Sequence, residues 1–160
     1  MKKFSLVLFV FLICLISFSQ SFNEDKTSFS NFIKRMYTST PFEGVKIVED
    51  YERKYLVSVL SLDKAKYTNP SVMNRVAQVK AQSQANTFLN GATITMDMVI
   101  KTTETKTKDS INTFVETIEA IKQNSMGFTQ GLELLTNFEN YDGKRMVFVY
   151  MREMNTEKND

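Results

Sequence analysis

The side chains available for chemistry in this chain are carboxylates, hydroxyls and lysines, because it has no histidine and a single cysteine, Cys14. Without imidazole there is no Ser-His-Asp or Cys-His nucleophile, no histidine base and no histidine-bearing zinc site. No phosphate-cradling glycine loop is present, neither a Walker sequence nor G-x-G-x-x-G, and no EF-hand spacing. Two carboxylates can hydrolyse a glycoside if one acid and one base or nucleophile face each other across a cleft. Glu116 and Glu119 share a face if their segment is helical, and a solvated surface pair is the other reading. No spacing singles out a Ser-Lys dyad. Tyr55, Tyr141, Phe148 and Tyr150 are of the type that stacks on sugars, but core packing and hairpin pairing account for them more simply. No cofactor and no metal is expected.

Cys14 lies inside the first twenty residues, MKKFSLVLFVFLICLISFSQ. Lys2 and Lys3 form a positive start, an apolar run follows from Leu6 to Ile16, and Ser17-Phe18-Ser19 presents small residues before Gln20. This is the layout of a secretory signal peptide cleaved between Ser19 and Gln20. The run falls short of the roughly 20 apolar residues that span a bilayer, so no membrane span is expected after cleavage. A lipid anchor needs a small residue before the acylated cysteine. Ile13 stands there, and Cys14 sits within the apolar run, not at its end. Cys14 is therefore read as filler of the signal, not as a lipid attachment point.

Removing residues 1–19 from the 160 leaves 141, a length suited to one domain with its own core. That remainder has no thiol, hence no disulfide, and its one Asn-x-Ser candidate, Asn69-Pro70-Ser71, is blocked by proline. Both features point to a bacterial protein with a periplasmic or extracellular address. The formal net charge of +2 resides in Lys2 and Lys3, so the mature part is near neutral. Such a balance argues against a nucleic-acid partner, which is held by neutralising phosphates.

The elements that would position any site follow from periodicity. Residues 20–28 read as a loose leader, 29–153 as a single α+β domain, and 154–160 as a disordered tail. Phe29, Phe32, Ile33, Met36 and Tyr37 mark one face of a short helix ending before Thr40-Pro41. Gly44 to Leu62 reads as a β-hairpin turning at Asp50–Arg53, its return strand apolar on both faces. Asn69-Pro70 opens, and Asn90-Gly91 closes, a long helix. Its Ala77, Ala81 and Ala85 recur every four residues, with Phe88 continuing the stripe. Ile94 to Ile100 alternates as a strand. Residues 111–121 fit either period and are read as a strand in preference to a helix. Gly127 and Gly131 in GFTQG read as turn glycines. Asp142-Gly143 signals a two-residue hairpin turn, placing Leu134, Thr136, Phe138, Val147, Val149 and Met151 on one face. The opposite face carries Glu133, Leu135, Asn137, Glu139, Met146, Phe148, Tyr150 and Arg152; it is either half-covered by a helix or a binding surface, with Met146, Phe148 and Tyr150 the candidate binding face. The expected fold is an antiparallel sheet, hairpin plus C-terminal meander, packed on the alanine-striped helix and the short N-terminal one.

The segment RVAQVKAQSQANTFLNG and the ending FENYDGKRMVFVYMRE resemble small bacterial envelope and outer-membrane lipoprotein domains related to the N-terminal domain of flagellar-assembly protein T. The resemblance covers roughly residues 70–152 and implies an envelope or assembly component without catalysis. The chain departs from many such proteins in lacking a usable lipidation sequence. Three functions remain open from the sequence. The first is an exported, non-catalytic protein that binds another envelope component. The second is a small carboxylate hydrolase of cell-wall or other glycans. The third is an exported carrier of a small apolar ligand in a cavity lined by some of its nine methionines.

Overall fold

In a computed structural model the chain is described over residues 24–50, 53–91, 99–101, 118–119 and 121–154. It divides between Thr40 and Pro41 into two compact units. The first contains helix α1, Glu24–Ser39. Its Phe29 and Phe32 rings stack with centroids 6.5 Å apart, as neighbours three residues apart on one helix face can. The helix ends before Thr40-Pro41 as expected but starts earlier, so Glu24–Ser28 is helical and not a loose leader. An apolar stripe marks only the turns that have something to bury, and the polar first turn is invisible to it. The cleavage residues Ser19 and Gln20 lie outside the described residues, as do residues 155–160.

The second unit is α+β, as its sequence pattern indicates. Strands β1 (Gly44–Asp50) and β2 (Arg53–Asp63) form an antiparallel hairpin with Asp50 opposite Arg53. A 3-10 turn, Lys64–Lys66, leads to helix α2, Pro70–Gly91. Short strand β3, Val99–Lys101, helix α3, Ser125–Gln130, and strands β4, Glu133–Glu139, and β5, Arg145–Glu153, complete it. The sheet order is β3-β1-β2-β5-β4. Four of its strands are antiparallel neighbours, and β3 adds a parallel edge along β1, with Ile47 opposite Val99. Of the strand expected over Ile94–Ile100, residues 94–98 lie outside the described residues.

Helix α2 starts where its sequence signals place it, and Gly91, its last described residue, is helical and not in the left-handed conformation of an exit glycine. The Asn69 side chain accepts a hydrogen bond from the Ser71 amide at 2.8 Å, supplying one of the acceptors that the first turn lacks. Met73, Ala77, Ala81, Ala85 and Leu89 form the buried stripe. Leu89, not Phe88, continues it, because spacing of four from Ala85 falls on residue 89; Phe88 packs at the margin. The stripe lies over Ile47, Leu56, Leu60, Leu62, Phe148 and Tyr150, which share one core. Side chains as small as alanine bring the helix backbone close to the sheet. Ser58, fully buried on β2, reaches the Ala81 carbonyl at 3.3 Å and Gln84 Oε1 at 3.0 Å.

Strand β2 is buried on both faces from Leu56 to Leu62, in keeping with its two apolar faces. At the far edge of the sheet a β-bulge separates Leu134, opposite Tyr150, from Thr136, opposite Val149. The extra residue, Leu135, shifts the period by one. Leu134 therefore leaves the face of Thr136 and Phe138 on which strict alternation puts it. The segment read as a strand over residues 111–121 is helical at Ile118, Glu119 and Ile121, and residues 111–117 lie outside the described residues. Ile118 is buried and Ile121 packs beside it in the core, the i, i+3 spacing of a helix face.

Replacing Ala81 with leucine forces three further carbons between α2 and β2. Such overpacking costs roughly 1–3 kcal/mol, and urea unfolding is expected to show a lowered midpoint. Val79, 64% exposed on the same helix, is the contrast: Val79→Ala is expected to change stability by no more than about 0.5 kcal/mol.

Candidate functional site

Met146, Phe148 and Tyr150 do share one face of β5, but that face lies under α2. Phe148 is 0% and Tyr150 4% exposed, and Met146 packs against the same core. The Tyr150 hydroxyl donates to the Asn74 carbonyl at 3.4 Å. Burial raises its phenol above the ordinary tyrosine range. The three residues hold the sheet to the helix: Phe148 and Tyr150 are buried and Met146 is partly buried at the margin. The sequence shows them alternating with valines and a methionine but does not show which face the helix covers.

Glu119 is exposed and pairs with Lys122 at 2.7 Å, three residues along the chain; Glu116 lies outside the described residues. Gly127 lies within α3 and not in a turn, while Gly131 ends that helix. Arg152 explains the second glycine. Its guanidinium donates to the Gly127 carbonyl at 2.9 Å and to the Phe128 carbonyl, with its carbon 4.5 Å from the centre of the Phe128 ring. A cation there meets the negative end of a short helix and the face of a ring. A β-carbon on Gly131 would collide with that guanidinium.

One cluster unites a carboxylate, a hydroxyl and a guanidinium: Glu43, Ser61 and Arg145. Ser61, on β2 and 7% exposed, donates to Glu43 Oε1. It accepts from Arg145 Nε at 2.8 Å, and Arg145 Nη2 donates to the Ser61 carbonyl at 2.9 Å. The Arg145 Nη2 also lies 3.5 Å from Glu43 Oε1. A hydroxyl beside a carboxylate resembles a nucleophile beside a base. Here, however, its proton and a lone pair are engaged, and the arginine seals one side. What the cluster does mechanically is tie the residue before β1 to the adjacent ends of β2 and β5.

That tie continues into the β4–β5 connection. The Asn140 amide donates to the Arg145 carbonyl at 3.0 Å, the Gly143 amide to the Asn140 carbonyl at 3.0 Å, and the Lys64 amide to the Lys144 carbonyl at 2.9 Å. Asn140 Oδ1 accepts from the Arg145 amide and Asp142 Oδ1 from the Lys144 amide, both at 3.0 Å. Lys64 Nζ meets Glu139 Oε1 at 2.6 Å. Gly143 has φ of 67°, a left-handed conformation that costs a side chain about 1–2 kcal/mol. The Asp142 carboxyl is held below the usual aspartate range, chiefly by the Lys144 amide. The register centred on Asp142-Gly143 is kept, with Glu139 opposite Met146, but the connection is not a two-residue turn: Asn140 and Arg145 close a loop of Tyr141–Lys144, and the hydrogen-bonded turn within it runs from Asn140 to Gly143. At its apex Tyr141 is fully exposed, at 108%.

No group of three or more metal-ligating side chains occurs among the described residues, and none of the described helices is long and apolar enough to cross a membrane. No known protein family, curated protein or solved structure matches the chain.

Two outcomes are expected. Ser61→Ala leaves Arg145 and Glu43 without the hydroxyl between them and is expected to cost about 1–3 kcal/mol in urea unfolding. Tyr150 carries a raised phenol pKa, so its contribution to stability is fully present below about pH 10. It is lost as the pH rises through the folded-state value, because the unfolded phenol ionises first. Alkaline unfolding curves are expected to show this loss in the native chain and a smaller one in Tyr150→Phe.

Proposed function

We propose that the protein is exported and acts without catalysis, by binding a second component of the bacterial envelope. The observation that carries this reading is the contrast at the β4–β5 end of the sheet. The polar side chains there satisfy one another within the fold, whereas the turn they brace holds an aromatic ring out in solvent. Ordered groups with engaged protons suit the support of a surface better than the transfer of a proton to a substrate. The export layout of residues 1–19 supports the envelope address. The absence of thiol and imidazole from the remainder of the sequence favours binding over nucleophilic chemistry, and the resemblance of residues 70–152 to envelope domains points the same way.

Fractionation of expressing cells, with mass spectrometry of the protein's N-terminus, tests the address. A chain beginning at Gln20 in the periplasmic or extracellular fraction is expected. A full-length chain beginning at Met1 in the cytoplasmic fraction overturns it, and an acylated Cys14 replaces it with a lipid-anchored location.

A further inference from the structure

We propose that Asp142-Gly143 is a self-modification site that the fold keeps closed: when the β4–β5 connection opens, the Gly143 nitrogen attacks Asp142 Cγ, and the chain passes through a cyclic imide to a β-linked aspartate from which the connection does not re-form. The reaction needs no reagent but water and no binding partner. The hydroxyl of the protonated Asp142 carboxyl and the Gly143 amide proton leave together as water when the nitrogen–carbon bond closes the ring. A second water then opens the ring at either carbonyl. Opening at the main-chain carbonyl breaks the original peptide bond to Gly143 and leaves the chain running through the former side chain, a carbon longer. A following glycine permits this chemistry because no β-carbon obstructs the approach. Of the five glycines, Gly91 and Gly143 are those that follow an Asn or Asp. Asn90-Gly91 lies inside α2, with the Asn90 amide held on Asn86 and Ser125. Asp142-Gly143 lies in an exposed loop, the kind of segment that opens most readily.

In the folded loop both reacting groups are engaged. The Gly143 amide donates to the Asn140 carbonyl at 3.0 Å, and Asp142 Oδ1 accepts from the Lys144 amide at 3.0 Å. The imide has no proton on the Gly143 nitrogen and no carboxylate at residue 142. Ring closure therefore breaks the first bond and strips the second of its charged acceptor, which slows it by roughly tenfold. The Lys144 amide also favours the ionised carboxyl, which lacks the hydroxyl that must depart. Asn140 Oδ1 on the Arg145 amide, and Arg145 on Ser61, hold the end of the loop. The product, in contrast, no longer fits. Its extra main-chain carbon lies between the Asn140 carbonyl and the Gly143 amide, the two ends of the turn's hydrogen bond. The side chain that accepted from the Lys144 amide has become main chain. An opening that is reversible before the reaction is permanent after it.

The test incubates the purified full-length protein in neutral buffer, folded and in urea, and maps its peptides by liquid chromatography with mass spectrometry. Retention separates the β-linked form from the aspartate of equal mass, and the peptide map separates this site from Asn90-Gly91. Asp142→Glu, whose longer side chain disfavours ring closure, is the control for assignment and is expected to give no such product. Asn140→Ala removes one acceptor of the loop and leaves the reacting dipeptide intact; circular dichroism checks that it folds. The β-linked form is expected to accumulate about tenfold or more faster in urea than in the folded chain, and severalfold faster in folded Asn140→Ala than in the native loop. Modified chains returned to urea-free buffer are expected to lose amide-exchange protection at Gly143, Lys144 and Arg145. Equal rates in and out of urea, a rate unmoved by Asn140→Ala, or a modified chain that keeps that protection overturns the proposal. Where Asn140→Ala fails to fold, the native sequence in and out of urea and the exchange measurement decide.

Discussion

The closeness of α2 to β2 is the constraint on which the sheet unit depends. Alanines at every fourth position let the helix backbone come within hydrogen-bonding reach of Ser58. At that separation Leu56, Leu60, Phe148 and Tyr150 fill the space on either side without voids that a larger spacing would open. The buried serine is tolerable only because two acceptors on α2 meet it; an unsatisfied hydroxyl at that depth would destabilise the unit by a few kcal/mol. The helix thus fixes which face of β5 is interior. By exclusion, it leaves the ends of the strands as the place where polar groups collect.

Those strand ends hold the rest of the design. Arg145 is the hinge of the arrangement: its side chain binds β2 and Glu43, and its backbone closes the β4–β5 turn. A charged triad half open to water would contribute little as isolated ion pairs. Its value lies in reinforcing, with side chains, the end of the sheet where the segment before β1, the end of β2 and the start of β5 come together. Arg152 performs a comparable task at the other end of β5, seating α3 through two carbonyls and a ring.

Much of this was legible in the residues. The start of α2 follows from Asn69 and Pro70, and the β1–β2 hairpin and the register near Gly143 follow from alternation and turn chemistry. The failures have identifiable causes. Alanine is small and weakly apolar, so α2 announces its own stripe but not the face it covers, and the sequence leaves Phe148 and Tyr150 open between a helix-covered face and a binding surface. A bulge carries no local marker in a run such as ELLTNFE. The β-branched residues around Ile118 fit both periods, and only packing decides between them. The parallel pairing of β3 with β1 and the Glu43–Ser61–Arg145 cluster join residues far apart in the chain, Ser61 and Arg145 being 84 positions apart. No local pattern encodes such meetings.

The central pairing of the sheet joins β2 to β5, with Leu60 opposite Phe148. Between those strands in sequence lie α2, β3, α3 and β4, so the middle of the sheet closes only by a long-range step, slow in comparison with hairpin or helix formation. Of the described strands, β5 is the last to be synthesised. Until it arrives, β2 has β1 on one side and an open edge on the other, and the aromatic half of the core is missing. The centre of the sheet therefore closes only once β5 is present, and a chain interrupted before Arg145 leaves the inner edge of β2 unpaired.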